Sequence, residues 1–556
     1  MSRKVYLTLS ALCGSLLIAF SLSSPLRADP SLAYEIASIL QEPGKGALIC
    51  LGCDQIEVEA PLFEFYARRG FEPLWVSPLG PDRKALVFLE TLLDAEQHGL
   101  DPQDYHASCL QTWVQALLEK PLDDLAREQR DLAGLDVLLT QAFFLFGEHL
   151  SRGRINPAGL YGLWQPAVDQ VDVADVLSGL EKDGDVPRAI GELAPPHQGY
   201  WALLEEGRRL KKVADEGGWP ELPPKIKLQL GDLAPEVALL REQLVKSGDL
   251  PDELTEVPEL FDDDIETALQ MFQTRHGLEP DGVLDGPTTA ELNVPALDRW
   301  RQVMLNMERW RWLPRDLGRR YVMVNPTSFS LKAYEGGNET LEMRVVVGKV
   351  ATQTPVFSEV IRYIEINPFW YVPRSIAVKM NKNKLSGRGY ATFGSSGIVQ
   401  YPGPGNALGR IKFVFPNRFS VYMHDTPSKH LFEREYRAYS HGCIRLQKPI
   451  DLAVFLMQDD LDWTSEKVKS LIRTGATQRI PVEQDSKVHV VYFTAWVDEE
   501  GVLQFRNDLY HRDPALRRVL FEDRRLSTVA ARAGHEVAPG PCGHLTAANA
   551  PLVSTR

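Results

Sequence analysis

The hydrophobic period changes once along this 556-residue chain, and that change constrains the fold more than any other feature of the sequence. From Ser31 to about Pro224, apolar residues recur mostly at three- and four-residue spacing. Leu135, Leu138, Leu139, Phe143, Leu145 and Leu150 form such a stripe, the mark of an amphipathic helix. From Tyr321 the spacing becomes two. Tyr321 to Asn325, Phe329 to Tyr334 and Leu341 to Val347 alternate as half-buried strands do, and Glu335-Gly336-Gly337-Asn338 reads as a hairpin turn. Helical stripes first and alternating strands afterwards predict a multidomain α+β protein. The length allows three or four domains at about 100–200 residues each.

Between the two regimes lies a short, legible module. Val237, Leu240 and Leu244 share one helix face, and Ile265, Leu269 and Phe272 share another. A turn-rich stretch from Gly277 to Thr289 then leads into a third short helix. Leu297 to Leu313, rich in Arg and Trp, predicts a linking helix. Further strands are expected at Val360 to Asn367 and Phe413 to Met423. The segment Arg374 to Gly409 is too long and too rich in Gly, Ser and Pro for an ordinary connection, so it is expected to be a lid. Lys487 to Val497 and Val502 to Asn507 suggest one more hairpin. The expected organisation is a helical scaffold over 29–227, a three-helix module over 228–297, a linking helix over 298–320 and a mostly-β domain over 321–483. A C-terminal hairpin and helix over 484–526 and a disordered tail over 527–556 complete it.

Met1 to Ala28 reads as a secretory signal peptide: Arg3 and Lys4, then an uncharged, mostly apolar run from Val5 to Phe20, then small and turn-forming residues. An uncleaved anchor is the other reading of that segment. Export to the periplasm is therefore expected. The formal net charge of −14 makes a poor generic nucleic-acid binder. The sequence shows no phosphate-binding loop of the Walker type and no tandem CxxC pair, and no cofactor or metal is expected. In an oxidising compartment Cys50, Cys53, Cys109 and Cys542 are candidates for disulfides, with pairing open, and the odd number left after signal removal leaves one thiol free.

The candidate for that free thiol is Cys443. It stands in Tyr439-Ser440-His441-Gly442-Cys443-Ile444-Arg445-Leu446, nineteen residues after His424 in Tyr422-Met423-His424-Asp425-Thr426-Pro427. A thiol attacks as thiolate, so it needs a neighbouring imidazole or positive charge. His424, His441 and Arg445 supply these, and spacing alone does not decide which histidine is the base. The Gly442 and Cys443 N–H groups are expected to form an oxyanion hole. Two His and one Cys lack a fourth ligand for zinc. A papain-like order, with Cys before His, is also absent.

Ser440-His441-Gly442-Cys443 followed by Ile444-Arg445 resembles the signature of the L,D-transpeptidases, and the resemblance extends over roughly Tyr321 to Ala476. Asn367-Pro368-Phe369-Trp370-Tyr371-Val372-Pro373-Arg374 and Met423 to Pro427 share the family's style. The run Phe272-Gln273, Gly277-Leu278, Asp281-Gly282-Val283 and Gly286 resembles the small three-helix peptidoglycan-binding domain. The order of the parts is similar to the large Gram-negative branch of the family. The resemblance implies a β-sandwich-like mixed sheet with Cys443 as nucleophile and His424 as base, the base oriented by the carbonyl of Asp425. His441 is implied as a further catalytic participant, at a position where some relatives carry Ser. Tyr422, Ser440, Gly442, Asp425, Arg445 and Trp370 are implied as substrate-binding residues. The implied partner is peptidoglycan, stem peptide and glycan, acted on by a monomer. The implied reaction joins the third residues of two stems. A carboxypeptidase, a lipoprotein-anchoring enzyme and a non-catalytic wall-binding scaffold are the alternatives.

Overall fold

The computed structural model describes residues 30–41, 48–51, 54–120, 129–165, 171–253, 255–378, 380, 389–393, 397–460, 462–483 and 485–522. The signal segment, Cys53, Cys542, part of the lid and the C-terminal tail lie outside the described residues. Among the described residues no helix is long and apolar enough to cross a membrane. The described chain falls into two compact units, one from residues 30–86 and 109–141, the other from 87–108 and 142–522.

The first unit is mainly helical, but it also carries two short hairpins that the helical spacing did not announce. These are β1 (Leu48–Leu51) with β2 (Asp54–Glu57), and β3 (Val76–Ser77) with β4 (Gly80–Pro81). The chain entering β3 is held by one buried carboxylate. Asp136 accepts the N–H groups of Leu74, Trp75 and Val76 and the hydroxyl of Tyr66. Burial of an acid is tolerable there because four donors converge on it.

In the second unit the three-helix module consists of Pro235–Ser247, Asp263–Arg275 and Gly286–Leu292. Val237, Leu240, Leu244, Ile265, Leu269, Phe272 and Leu292 meet in its core. The turn-rich stretch is tied down by buried Gln273, which donates to Asp281, to the Val283 carbonyl and to Thr288, and accepts from Gly282 N–H. The Phe272-Gln273 and Asp281-Gly282-Val283 motifs thus have a structural account.

The expected linking helix spans Ala296–Arg311 and is no mere linker. Almost every residue from Val303 onward is buried, the charged ones included. Arg309 pairs with Asp513 at 2.5 Å and Arg311 with Glu308 at 2.9 Å. Such buried charges persist only when paired.

The mostly-β part is one continuous eleven-stranded mixed sheet. Its strands are β5 (Arg320–Asn325), β6 (Ser330–Glu335), β7 (Asn338–Gly348), β8 (Phe357–Val360), β9 (Tyr363–Ile366), β13 (Ile411–Val414), β14 (Met423–His424), β15 (Ala438–Ser440), β16 (Ile444–Leu446), β17 (Gln478–Pro481) and β18 (Lys487–Val490). They are ordered β17-β9-β13-β14-β16-β7-β6-β5-β18-β8, with β15 added parallel to β7. Two expectations are corrected. Phe413 to Met423 is two strands, because Pro416 opens a turn whose Asn417 side chain bonds the backbone on both sides of it. Lys487 to Val490 is not an arm of a separate hairpin. It lies between β5 and β8, and only β19 (Ala495–Val497) and β20 (Leu503–Phe505) form that hairpin. Trp370–Tyr371 and the described residues of the Arg374 to Gly409 segment add a small three-stranded sheet of β10 (Trp370–Tyr371), β12 (Gly397–Gln400) and β11 (Tyr390–Phe393).

Candidate active site

Strand register assembles the site. Successive side chains of a strand alternate between faces, and residues opposite each other across a ladder share a face. In the parallel pair β14–β16, Met423 stands opposite Ile444 and His424 opposite Arg445. One step earlier, Ile444 N–H donates to the Tyr422 carbonyl at 3.1 Å, which brings Tyr422 beside Cys443. Lys412 on β13 is opposite both His424 and Glu365, and Glu365 is opposite Arg479. Tyr422, His424, Cys443, Arg445, Lys412, Glu365 and Arg479 therefore share one sheet face. Ile364, Ile366, Ile411, Phe413, Met423 and Ile444 take the other face and are fully buried in the core.

His424 is buried and its tautomer follows from its partner. Nδ1 lies 2.5 Å from the Asp425 carbonyl oxygen. A carbonyl only accepts, so Nδ1 carries the proton and Nε2 keeps its lone pair. Burial, reinforced by the Arg445 guanidinium, pushes the imidazole down to about 3. His424 is thus neutral at physiological pH, the state in which Nε2 is able to accept a proton.

Cys443 is a free thiol, while Cys109 is disulfide-bonded. Burial pushes the Cys443 thiol up, against the pull of Tyr422, Lys412 and Arg445. Burial raises the Tyr422 phenol, and the neighbouring Cys443 sulfur raises it further. The Lys412 ammonium lies 4.2 Å from the Tyr422 ring centre and 3.9 Å from Glu365. Arg445 carries a buried Nε without a hydrogen-bond partner, and burial lowers its guanidinium. An unanswered buried donor on this face is suited to an anionic group.

The remaining expected site residues are placed differently. Ser440 has its hydroxyl committed inside the turn: it donates to the Cys443 carbonyl at 2.6 Å and accepts from Gly442 N–H at 3.0 Å. Gly442 N–H is therefore taken, which leaves Cys443 N–H as the oxyanion donor of the expected pair. Gly442 sits at φ 114°, which favours glycine. His441 is exposed on the loop before Cys443. The Asp425 carboxylate accepts Arg410 N–H at 2.8 Å and pairs with Lys429 at 2.6 Å. It lines a cavity of about 600 Å³ with Arg410, Lys429 and Arg473, which none of Tyr422, His424, Cys443 or Arg445 lines. Trp370 stands opposite Gln400 in the small β10–β12–β11 sheet. Among the described residues no cluster of His, Cys, Asp or Glu is arranged to hold a metal ion.

Sequence reading missed Lys412 and Glu365. The signal was there: each is a single charge at an alternate position of an otherwise apolar strand, Ile411-Lys412-Phe413-Val414 and Tyr363-Ile364-Glu365-Ile366.

Comparison with known proteins gives three family matches. Residues 319–480 match the L,D-transpeptidase catalytic domain, 60–206 match the scaffold domain, and 234–292 match a domain described as "Putative peptidoglycan binding domain". A Haemophilus influenzae protein named "Putative L,D-transpeptidase" is 28% identical over 253 residues, which cover 41% of this chain and 50% of that relative. The chain thus spans about half the length of that curated relative. Among solved structures, an L,D-transpeptidase from Mycobacterium smegmatis is similar at 14% identity, over 31% of this chain and 58% of that one, with a TM-score of 0.18. An L,D-transpeptidase from Stackebrandtia nassauensis is similar at 15% identity, over 48% of this chain and 96% of that one, with a TM-score of 0.21.

Proposed function

We propose that this chain, which carries an L,D-transpeptidase catalytic domain after a scaffold domain and a peptidoglycan-binding domain, crosslinks peptidoglycan stems through an acyl-enzyme on Cys443. The observation that carries this reading is the single sheet face shared by Tyr422, His424, Cys443 and Arg445, on which His424 keeps Nε2 as a lone pair.

At rest the thiol and the imidazole are both neutral. As a tetrapeptide stem binds, Cys443 Sγ bonds to the carbonyl carbon of its third residue and the thiol proton passes to His424 Nε2. The Cys443 N–H faces the developing oxyanion. Tyr422 hydrogen-bonds the sulfur, and Lys412 and Arg445 offset the charge that forms there. The unpartnered Arg445 Nε takes a donor carboxylate, while exposed His441, with buried Gly442 beside it, forms the wall of the donor groove. The tetrahedral adduct collapses by breaking the bond to the terminal D-alanine, whose nitrogen takes the proton back from His424. The thioester keeps the acyl group activated, so no nucleotide is consumed. The side-chain amine of a diamino acid on a second stem then attacks the thioester carbonyl. His424 accepts the amine proton and returns it to the departing sulfur, which leaves the two third residues joined. The lid, with Trp370, closes over the peptides and limits hydrolysis. The chain works in the periplasm as a monomer, with its three-helix module on the wall.

The test is the full chain without residues 1–28, mixed with disaccharide-tetrapeptide, reading intact protein mass and products. A mass gain lost in Cys443→Ala, together with dimeric products, supports the proposal. Monomeric tripeptide alone means that water is the acceptor. An unreactive Cys443 with no adduct overturns the proposal in favour of a wall-binding scaffold.

A further inference from the structure

The loop that carries Cys443 is braced from a part of the chain beyond the matched catalytic domain. The backbone of Ser440 to Gly442 rests on the turn Lys349 to Thr354. Lys349 N–H and the Thr352 hydroxyl both donate to the Ser440 carbonyl, at 3.1 and 3.0 Å. The Thr354 hydroxyl accepts Gly348 N–H at 2.9 Å, so its own proton is directed to the Gly442 carbonyl, 3.0 Å away. Each proton in this chain has one destination.

The turn is in turn locked by the C-terminal segment. The Tyr510 hydroxyl donates to the Gly348 carbonyl at 2.8 Å and accepts Thr354 N–H at 3.2 Å. Tyr510 is itself fixed, because its N–H donates to the Tyr492 hydroxyl at 2.7 Å and the two rings stack 5.6 Å apart. Arg512 lies over both rings and donates to the Gln353 side chain at 2.9 Å. Thr354 is fully buried and Tyr510 is 3% exposed, so water does not replace these bonds. At Gly348 a Cβ would collide with the Thr352 carbonyl and Thr354 N, so the turn fits only against a bare backbone.

We propose that Thr354 and Tyr510 are positioning residues for the transpeptidase reaction: Thr354 fixes the Gly442 peptide, and through it the direction of the Cys443 N–H and thiol, and Tyr510 holds Thr354 in place from a segment outside residues 319–480. The proposal rests on the reading of Cys443 as nucleophile. It makes the C-terminal segment part of the catalytic machinery instead of an appendage, since a relay of two hydroxyls connects it to the reacting loop. Orientation errors well below an ångström at a nucleophile reduce turnover without loosening substrate binding.

The experiment compares Thr354→Val, Thr354→Ser and Tyr510→Phe in the full chain without residues 1–28. It reads kcat and KM for D-alanine release, the rate of Cys443 alkylation and the melting temperature. Thr354→Val is expected to lower kcat on the order of tenfold or more with KM within about twofold. Thr354→Ser, which restores the hydroxyl, is expected to return most of it. Tyr510→Phe removes one hydroxyl from a packed ring and is expected to lower kcat in the same way. The double variant Thr354→Val/Tyr510→Phe is expected to lose less than the product of the two single losses, because both act through one peptide. Wild-type kcat in Thr354→Val overturns the proposal. So does a loss in Thr354→Ser as large as in Thr354→Val, or a loss that merely follows the fraction unfolded. Retained D-alanine release in Cys443→Ala, measured alongside, overturns the nucleophile reading instead.

Discussion

The Lys412 ammonium stands 4.2 Å from the centre of the Tyr422 ring, and both groups act electrostatically on the Cys443 thiol. Lys412 is half-buried, and desolvation lowers its ammonium, so its field on the sulfur is less screened than a surface lysine's. Its charge favours the thiolate. Lys412→Met keeps the stem and removes that charge, so the thiol is expected to rise further. At pH 7.5 kcat is expected to fall by about three- to tenfold, since one pH unit of thiol shift corresponds to tenfold in thiolate. Lys412→Arg is expected to keep most of the activity. An unchanged alkylation profile in Lys412→Met shows that Lys412 does not act on the sulfur.

The resting thiol and imidazole give a second expectation. Burial holds Cys443 above its ordinary value of 9.0, and His424 is pushed down to about 3. The free enzyme then stores no thiolate–imidazolium pair. Alkylation of Cys443 by iodoacetamide is expected to climb with pH through 9 with no plateau on the acid side. A plateau of high reactivity between about pH 5 and 8, of the kind a lowered thiol produces, rules out the neutral resting state.

The candidate site was legible because its residues are concentrated. His441, Cys443 and Arg445 lie within five consecutive residues, and His424 falls at a strand end that the period-two pattern nearly locates. Lys412 was within reach of the same pattern, as a charge on an apolar strand. Thr354 and Tyr510 were not. They are ordinary residues 156 positions apart, and their meaning lies in one hydrogen bond that no local spacing encodes. The misread strand at Phe413 to Met423 has a similar cause. Apolar residues continue through Phe415, Phe419 and Val421 although Pro416 and Asn417 turn the chain, so hydrophobicity outvoted turn chemistry.

Asp425 separates two roles that sequence alone merges. Its carbonyl holds His424 Nδ1, while its carboxylate accepts Arg410 N–H and pairs with Lys429. Asp425→Asn keeps the carbonyl and an oxygen for Arg410. It is expected to leave kcat/KM within about threefold and to cost about 1 kcal/mol of stability, the usual worth of one weakened hydrogen bond. A loss of a hundredfold in kcat shows that the carboxylate acts in the reaction.

Six histidines of the larger unit are buried in a form that cannot easily take a proton, and this sets the acid limit of the fold. Burial pushes His98, His149 and His424 down to about 3, and His197 and His489 down to about 4. His276 is lowered as well, by burial and then by Arg275. His489 shows why. Its Nε2 must donate to the Leu317 carbonyl at 2.9 Å, and its Nδ1, 2.8 Å from Ser358, is left as an acceptor. In the unfolded chain all six titrate near the ordinary 6.5. Below that pH the unfolded state binds more protons than the folded one, so stability is full above 6.5 and falls as pH drops toward the folded values. Each histidine contributes up to about 1.4 kcal/mol per pH unit in that window. Asp136, Glu339, Glu359 and Asp513 work the other way, because burial raises their carboxyls and the folded state takes up protons there first. They offset part of the loss, in the window between the unfolded carboxyl values of about 4 and their own raised ones. The melting temperature is therefore expected to be flat from pH 8 to about 6.5 and to drop steeply between 6.5 and 4.5 at constant ionic strength. A melting temperature unchanged down to pH 4.5 shows that these histidines reach solvent or gain acceptors on protonation, and the neutral state assigned to His424 falls with that result.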